Sequence, residues 1–207
     1  MKNTSEKYTF PLLETIRLQD GKIYNLPFHQ RRMNKSFRLL FGGDSPFDLK
    51  EILNRKKWPE DGLYKIRFLY GQSSFRLEYS AYKPKIIRTL RIVQADDVAY
   101  HLKFTDRSAI NRLVKKRGNA DDILMLKEGR ITDTSFANIA FFDGKDWWTP
   151  ENPLLEGTMR EWLLRRGTLK TAPITPADLK KYTHFKILNA MLDFDRQIPL
   201  PVTYILH

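Results

Sequence analysis

The sequence predicts a mixed α/β (α+β) fold in which strands outnumber helices, and three observations carry that prediction. Short runs of alternating apolar and polar residues, such as Leu63 to Tyr70 and Ser74 to Tyr82, recur along the chain between turn dipeptides. Fewer stretches place apolar residues at helical spacing. With 207 residues, 42% hydrophobic and 13% aromatic, the chain can bury one core or two small ones.

Taken in order, Leu12 to Arg17 reads as a strand, and Asp20-Gly21 turns it into a second strand around Ile23. His29 to Phe41 is predicted helical, because Phe28, Met33, Phe37, Leu40 and Phe41 fall largely at spacings of three to five and Gly42-Gly43 stops the run. Phe47 to Lys57 gives a short helix that ends before Pro59. Leu63 to Tyr70 and Ser74 to Tyr82 pair around Gly71-Gln72. Lys83-Pro84 marks a boundary, since proline fits neither a ladder nor a helix interior, and it divides the chain into residues 1–85 and 86–207.

The second part opens on a strand, Ile86 to Val93. A helix from Ser108 to Arg117 follows, with Ser108 as N-cap, Ile110, Leu113 and Val114 as its buried face, and Gly118 as its end. Next come strand Ile123 to Leu126, turn Glu128-Gly129, strands near Ile131 and from Ile139 to Phe142, and turn Asp143-Gly144 toward Trp147 and Trp148. A helix from Thr158 to Arg166 ends at Gly167, and Phe185 to Asn189 gives a late strand.

Composition narrows the function classes. The 29% charged fraction argues against disorder. The net charge of +12, from 36 basic and 24 acidic residues, attracts anions in general. The basic residues are spread out, with short runs only at Arg55-Lys56-Lys57 and Lys115-Lys116-Arg117, and no nucleic-acid-binding spacing accompanies them. A solvated basic surface that favours small anionic ligands is expected, with no nucleic acid as partner. The absence of cysteine excludes disulfides, thiolate metal sites and cysteine nucleophiles, and no metal is expected. No apolar run approaches the roughly 20 residues of a membrane span, and Met1–Lys7 has no apolar core behind it. A cytoplasmic protein, without membrane contact, is the expectation.

Four segments hold candidate chemistry. Lys103 precedes a helix, and Arg107 stands close enough in sequence to help depress its pKa, which a lysine nucleophile requires. Gly157-Thr158-Met159-Arg160 opens a helix after a Pro-containing loop, offering backbone N–H groups and the positive dipole end that suit phosphate. His29-x-x-Arg32 presents a guanidinium able to grip phosphate bidentately. Asp133 lies in Thr132-Asp133-Thr134-Ser135, a run that also suits a turn. Singly, each is also an ordinary surface or turn feature.

Their order is specific. Glu14-Thr15-Ile16-Arg17, Asp20-Gly21-Lys22-Ile23, His29-x-x-Arg32-Met33, Ile66-Arg67, Lys103-x-x-x-Arg107 and Asn119-Ala120-Asp121-Asp122 come first. The densest part is Gly129-Arg130-Ile131-Thr132-Asp133-Thr134-Ser135-Phe136-Ala137-Asn138-Ile139, followed by Thr149-Pro150, Gly157-Thr158-Met159-Arg160 and Leu188-Asn189-Ala190. In this order the segments resemble the class IV aminotransferases, the fold-type IV pyridoxal 5′-phosphate (PLP) enzymes, over nearly the whole chain. That resemblance implies two small α/β subdomains with PLP between them, the second carrying the PLP lysine, and a homodimer.

It also implies roles. Lys103 matches the lysine that holds PLP as a Schiff base and shuttles the proton. Arg32 matches the phosphate-binding arginine, Thr158 and Met159 the helix start that donates N–H groups to the same phosphate, and Asn189 and Ala190 the loop over its other side. Asp133 falls where the family usually has a glutamate facing the pyridine nitrogen, and Ser135 and Asn138 join the cofactor-binding set from the same motif. Arg67 and Arg107 suit a small anionic, amino-acid-like substrate with two carboxylates.

Three departures stand out. Asp133 is one methylene shorter than glutamate. The sequence starts late against the family pattern, without its N-terminal strand and aspartate-arginine-glycine turn, and it stops soon after Pro201-Val202. Pocket closure is expected to suffer more than cofactor binding. The Lys103-to-Arg107 spacing and the Gly-Thr-Met-Arg helix start look closest to aminodeoxychorismate lyase, which forms 4-aminobenzoate and pyruvate in folate biosynthesis. A branched-chain or D-amino-acid transaminase is the alternative, and a catalytically weak PLP-binding protein a further one.

Overall fold

A computed structural model of the chain describes residues 9–207, so Met1–Lys7, on which the leader expectation rests, lies outside the described residues. The chain forms two compact units. One runs through Pro84 and takes back Leu102–Asp106, and the other holds Lys85–His101 and Arg107–His207.

The first unit is an antiparallel sheet backed by helices. Its strands are β1 (Leu12–Gln19), β2 (Lys22–Ile23), β3 (Leu63–Tyr70) and β4 (Phe75–Ala81), in the order β2-β1-β3-β4. Asp20 and Gly21 both take positive φ (48° and 73°), the two-residue hairpin geometry that matches strand twist. Helix α1 (Leu26–Phe41) starts after Asn25, which caps it in the left-handed region, with Pro27 in the first turn. It begins before the expected His29, because the proline fits that first turn. Helix α2 (Leu49–Asn54) follows, with the Asp48 carboxylate accepting from the Glu51 N–H. The α1 stripe His29, Met33, Ser36 and Phe37 is buried, and Met33 and Phe37 pack with Leu12, Ile16 and Leu18 of β1 and Ile66, Phe68 and Tyr70 of β3.

Lys103 belongs to this first unit, which corrects the expectation that the second part carries it. Leu13 N–H donates to the Lys103 carbonyl (3.0 Å), Thr105 N–H donates to the Pro11 carbonyl (2.8 Å), and Phe104 bridges Leu12. Leu102 is buried in the first unit's core, and Phe104 packs against it.

The second unit contains two sheets. One orders β13 (Ile205–Leu206), β5 (Leu90–Gln94), β6 (Asp122–Lys127) and β7 (Arg130–Thr134). The other orders β10 (Leu169–Ala172), β9 (Trp147–Pro150), β8 (Asn138–Phe142), β11 (His184–Leu188) and β12 (Leu200–Pro201). Helix α3 (Ser108–Val114) runs into a 3₁₀ turn at Lys115–Arg117, and helix α4 spans Thr158–Arg165. Ser108 is the first helical residue and not the cap, a position Arg107 takes without capping the helix through its side chain. Strand β5 starts four residues later than expected. The Arg88 and Thr89 N–H groups donate to the Asp121 carboxylate (2.8 and 3.0 Å) instead of to a ladder. Among the described residues, no helix is long and apolar enough to cross a membrane.

Candidate active site

In the first unit, β1 presents Leu12, Glu14, Ile16 and Leu18 toward α1, all fully buried. Glu14 is the one charge in that row, and α1 answers it. Arg32 donates from Nε to Glu14 Oε1 (2.9 Å) and from Nη2 to Oε2 (2.5 Å), while His29 Nδ1 lies 2.7 Å from Oε2. Positions 29 and 32 lie one turn apart on the helix, which lets both side chains reach one carboxylate. Burial by itself raises the Glu14 carboxyl, but the Arg32 charge and the hydrogen bonds from His29 and Arg32 outweigh it and bring it down to about 2. Burial pushes His29 the other way, to below its ordinary value. The Glu14 contacts oppose that shift, and the charges of Arg32 and Lys103 add to it. His29 is therefore neutral at pH 7, with the Nδ1 proton donated to Glu14.

Lys103 is half-buried and sits at the centre of a three-residue turn, in which Phe104 N–H donates to the Leu102 carbonyl (2.9 Å). The turn directs Leu102 and Phe104 into the core while the central residue departs from strand alternation. Arg67 lies elsewhere. It alternates with the buried Ile66 and Phe68 on β3, so it faces the other side of the sheet from Glu14 and pairs with Glu78 (2.7 Å).

In the second unit, a β-bulge places Asp133. Leu124 pairs with Thr134 and Leu126 with Ile131, so Met125 alone opposes both Thr132 and Asp133. Such an insertion re-aims the side chains of the bulged strand. Asp133 is buried, with Oδ1 accepting from Asn138 Nδ2 (2.7 Å) and Oδ2 from the Leu155 N–H (2.9 Å). Asn138 Nδ2 also donates to the Leu155 carbonyl (2.8 Å). Burial raises the Asp133 carboxyl to about 6, against the Asn138 hydrogen bond, the Leu155 and Leu154 N–H groups and the Arg160 charge. The folded chain thus binds this proton more tightly than the unfolded chain. Neutral Asp133 contributes stability that is lost as pH rises from 3.8 to about 6. Carbon-13 NMR should place its carboxyl midpoint near pH 6, and Asn138→Ala should move that midpoint higher.

Asn138 gathers the remaining groups. It pairs across the ladder with Leu188, which puts Asn189 one residue beyond it at the same end of the sheet. Asn189 Oδ1 accepts from the Met191 N–H (2.9 Å), shaping the turn that contains half-buried Ala190. A Cβ on Gly157 would lie 1.9 Å from Asn138 Oδ1, so only glycine fits there. Thr158 and Met159 open α4 immediately after it, at the helix start where backbone N–H groups point out along the helix axis. The Met159 side chain is core, so any ligand contact there is through its backbone. Gly157→Ala is expected to destabilise the protein by about 1–3 kcal/mol through overpacking and to displace Asn138 from Asp133. Calorimetric Tm and the Asp133 titration check both.

Ser135 and Arg107 are joined, but not through the serine hydroxyl. The Arg107 guanidinium donates from Nη2 to the Ser135 carbonyl, and Ser135 N–H donates to the buried Asp122 carboxylate (3.2 Å). Sequence reasoning gave no role to Glu14, Arg160 or the Leu155 N–H. Glu14 had a readable signal, a lone charge in an apolar row of period two. Arg160 is buried in the first turn of α4, with Nη2 donating to the Pro150 carbonyl (2.8 Å), which pins the loop leading to Leu155.

The donor set fits PLP chemically. A lysine amine suits its aldehyde, an anchored guanidinium and a helix start suit its phosphate, and a buried carboxylate suits its ring nitrogen.

Residues 11–194 match the family described as amino-transferase class IV. The chain belongs to that family, and with it to aminotransferase- or lyase-like enzymes of fold type IV. An uncharacterized protein of Haemophilus influenzae is 38% identical over 184 residues, which cover 88% of this chain and 98% of the relative. The crystal structure of a "putative 4-amino-4-deoxychorismate lyase" from Haemophilus somnus 129pt superposes with a TM-score of 0.84 at 35% identity, covering 88% of this chain and 96% of that one. A Schizosaccharomyces pombe protein described as a "putative aminodeoxychorismate lyase" is 28% identical over 177 residues, or 76% of this chain and 74% of its own length.

Proposed function

We propose that the chain binds PLP and converts 4-amino-4-deoxychorismate to 4-aminobenzoate and pyruvate. The observation that carries cofactor binding is the buried Glu14–His29–Arg32 network, which holds a guanidinium in one orientation and whose His29 feels the charge of Lys103. The likeness to the Haemophilus somnus protein, over nearly both chains, favours the lyase over a transaminase.

PLP supplies an electron sink for a substrate carbanion. In this reading Lys103 Nζ would hold the cofactor, take the proton from the substrate's amine-bearing carbon, and supply a proton to the enolpyruvyl group, which leaves with its ether oxygen as pyruvate. Arg32 and the first-turn N–H groups at Thr158 and Met159 hold the phosphate. Asp133 faces the ring nitrogen as a carboxylate, a state that a cationic partner favours over its raised resting pKa. Arg107 is the cation for a substrate carboxylate, whereas Arg67, on the opposite face of its sheet and paired with Glu78, takes no part in this reading. Asn138 keeps Asp133 in place, and Asn189 and Ala190 shape the turn beside it. Cytoplasmic folate biosynthesis by a homodimer completes the proposal.

The test is spectroscopic and then chemical. Wild-type protein mixed with PLP should develop a visible absorption band that Lys103→Ala lacks, and borohydride should fix the cofactor to the Lys103 peptide. The loaded protein should release pyruvate from aminodeoxychorismate without consuming a keto acid. Keto-acid-dependent amino transfer in place of pyruvate release would assign a transaminase. No band even at excess PLP would end the cofactor reading. Sedimentation as a strict monomer would remove the homodimer.

A further inference from the structure

We infer that Glu14 is a positioning residue for phosphate recognition, which with His29 fixes the plane of the Arg32 guanidinium and turns its far edge toward the anion. This inference rests on the PLP reading and assigns a task to two side chains that touch neither cofactor nor substrate.

The geometry carries it. Both Glu14 oxygens are used by the Nε and Nη2 edge of Arg32, at 2.9 and 2.5 Å, so Nη1 and the outer Nη2 proton point away from the carboxylate. His29 Nδ1 holds the shared oxygen from a third direction, at 2.7 Å. The Glu14 and His29 side chains have no exposure, whereas Arg32 keeps 10%, so the network is sealed on its inner side and open only at the guanidinium. Leu12 and Ile16 flank Glu14 on β1, Phe68 faces it on β3, and all three are fully buried. Water therefore cannot replace Arg32 as the partner of Glu14, and rotating Arg32 away would leave a buried carboxylate uncompensated. An arginine held in this way meets phosphate with its orientation already set, which saves the rotamer entropy a mobile side chain would lose on binding.

A purely structural ion pair would stabilise the fold without discriminating between ligands, so the test compares PLP with pyridoxal, which lacks the phosphate. Affinities of the full-length apo protein for both are measured by tryptophan fluorescence and absorption. Wild type should bind PLP more tightly than pyridoxal. Glu14→Gln turns an amide N–H toward Arg32 and His29, and PLP affinity should fall by about 10- to 100-fold, the range expected when one charge-assisted contact is lost. Pyridoxal affinity should stay within about twofold of wild type, a change worth less than half a kcal/mol. His29→Leu removes only the third hold and should give a smaller loss of the same kind. It carries the test by itself if Glu14→Gln does not fold. Equal losses for both ligands, or unchanged PLP affinity in the variants, would overturn the positioning role while the PLP reading stands. A wild type that binds the two ligands equally would show instead that the PLP reading, and this inference with it, is wrong.

Discussion

Lys103→Ala is expected to slow turnover by about a thousandfold or more, the upper part of the range for losing a positioned acid–base group. The loss should fall on kcat, with substrate still retained by Arg107. Lys103→Arg is the sharper variant. It keeps the positive charge, but a guanidinium does not deprotonate near neutral pH and cannot collect a proton from carbon. Steady-state rates for both variants decide the matter, because Lys103→Arg activity within tenfold of wild type would remove Lys103 from proton transfer. A small primary amine added to Lys103→Ala should restore part of the rate.

Arg32→Ala should produce the largest stability loss, about 3–5 kcal/mol, the cost of leaving one partner of a buried pair uncompensated. The direction with pH follows from Glu14. Its folded value of about 2 lies below the ordinary 4.5, so its stabilisation is complete above 4.5 and is lost as pH falls toward 2. His29 acts in the same sense, because its lowered pKa makes the folded chain bind a proton less readily than the unfolded one as pH falls below 6.5. Without Arg32 the Glu14 carboxyl rises, so its share of the acid-induced loss shrinks, and the stability gap between variant and wild type should narrow as pH falls toward 3. Urea unfolding of apo protein across pH 3–7 measures both effects. Adding Glu14→Leu to Arg32→Ala should recover most of the loss, since an apolar replacement removes the stranded charge.

The elements with strong local signals were legible in the sequence. The Asp20-Gly21 and Glu128-Gly129 turns, the α1 stripe and the long pair β3–β4 all show in residue order, because each is decided within a few positions. Strands β12 and β13 are two residues long and leave no alternation to read. Strand β10 was missed as well, since Leu169–Ala172 owes its place to β9, a partner over twenty residues away. The candidate site divides in the same way. Lys103, Arg32, Asp133 and the Thr158 helix start could be named from motif order. The bulge that seats Asp133, the Asn138–Gly157 contact and the turn at Lys103 depend on register and close packing, which spacing does not encode.

The return of Leu102–Asp106 to the first unit limits how these enzymes can be recombined. The chain changes unit after Pro84, again after His101 and again after Asp106. A fragment ending at Pro84 would lack the carbonyl that pairs with Leu13 N–H and the two apolar side chains that cover the start of β1. Exchanging first halves between relatives at residue 84 would therefore join each sheet to a foreign closing segment, one that carries the lysine. Productive chimaeras should have three junctions, after Pro84, His101 and Asp106, so that Leu102–Asp106 travels with the sheet it completes.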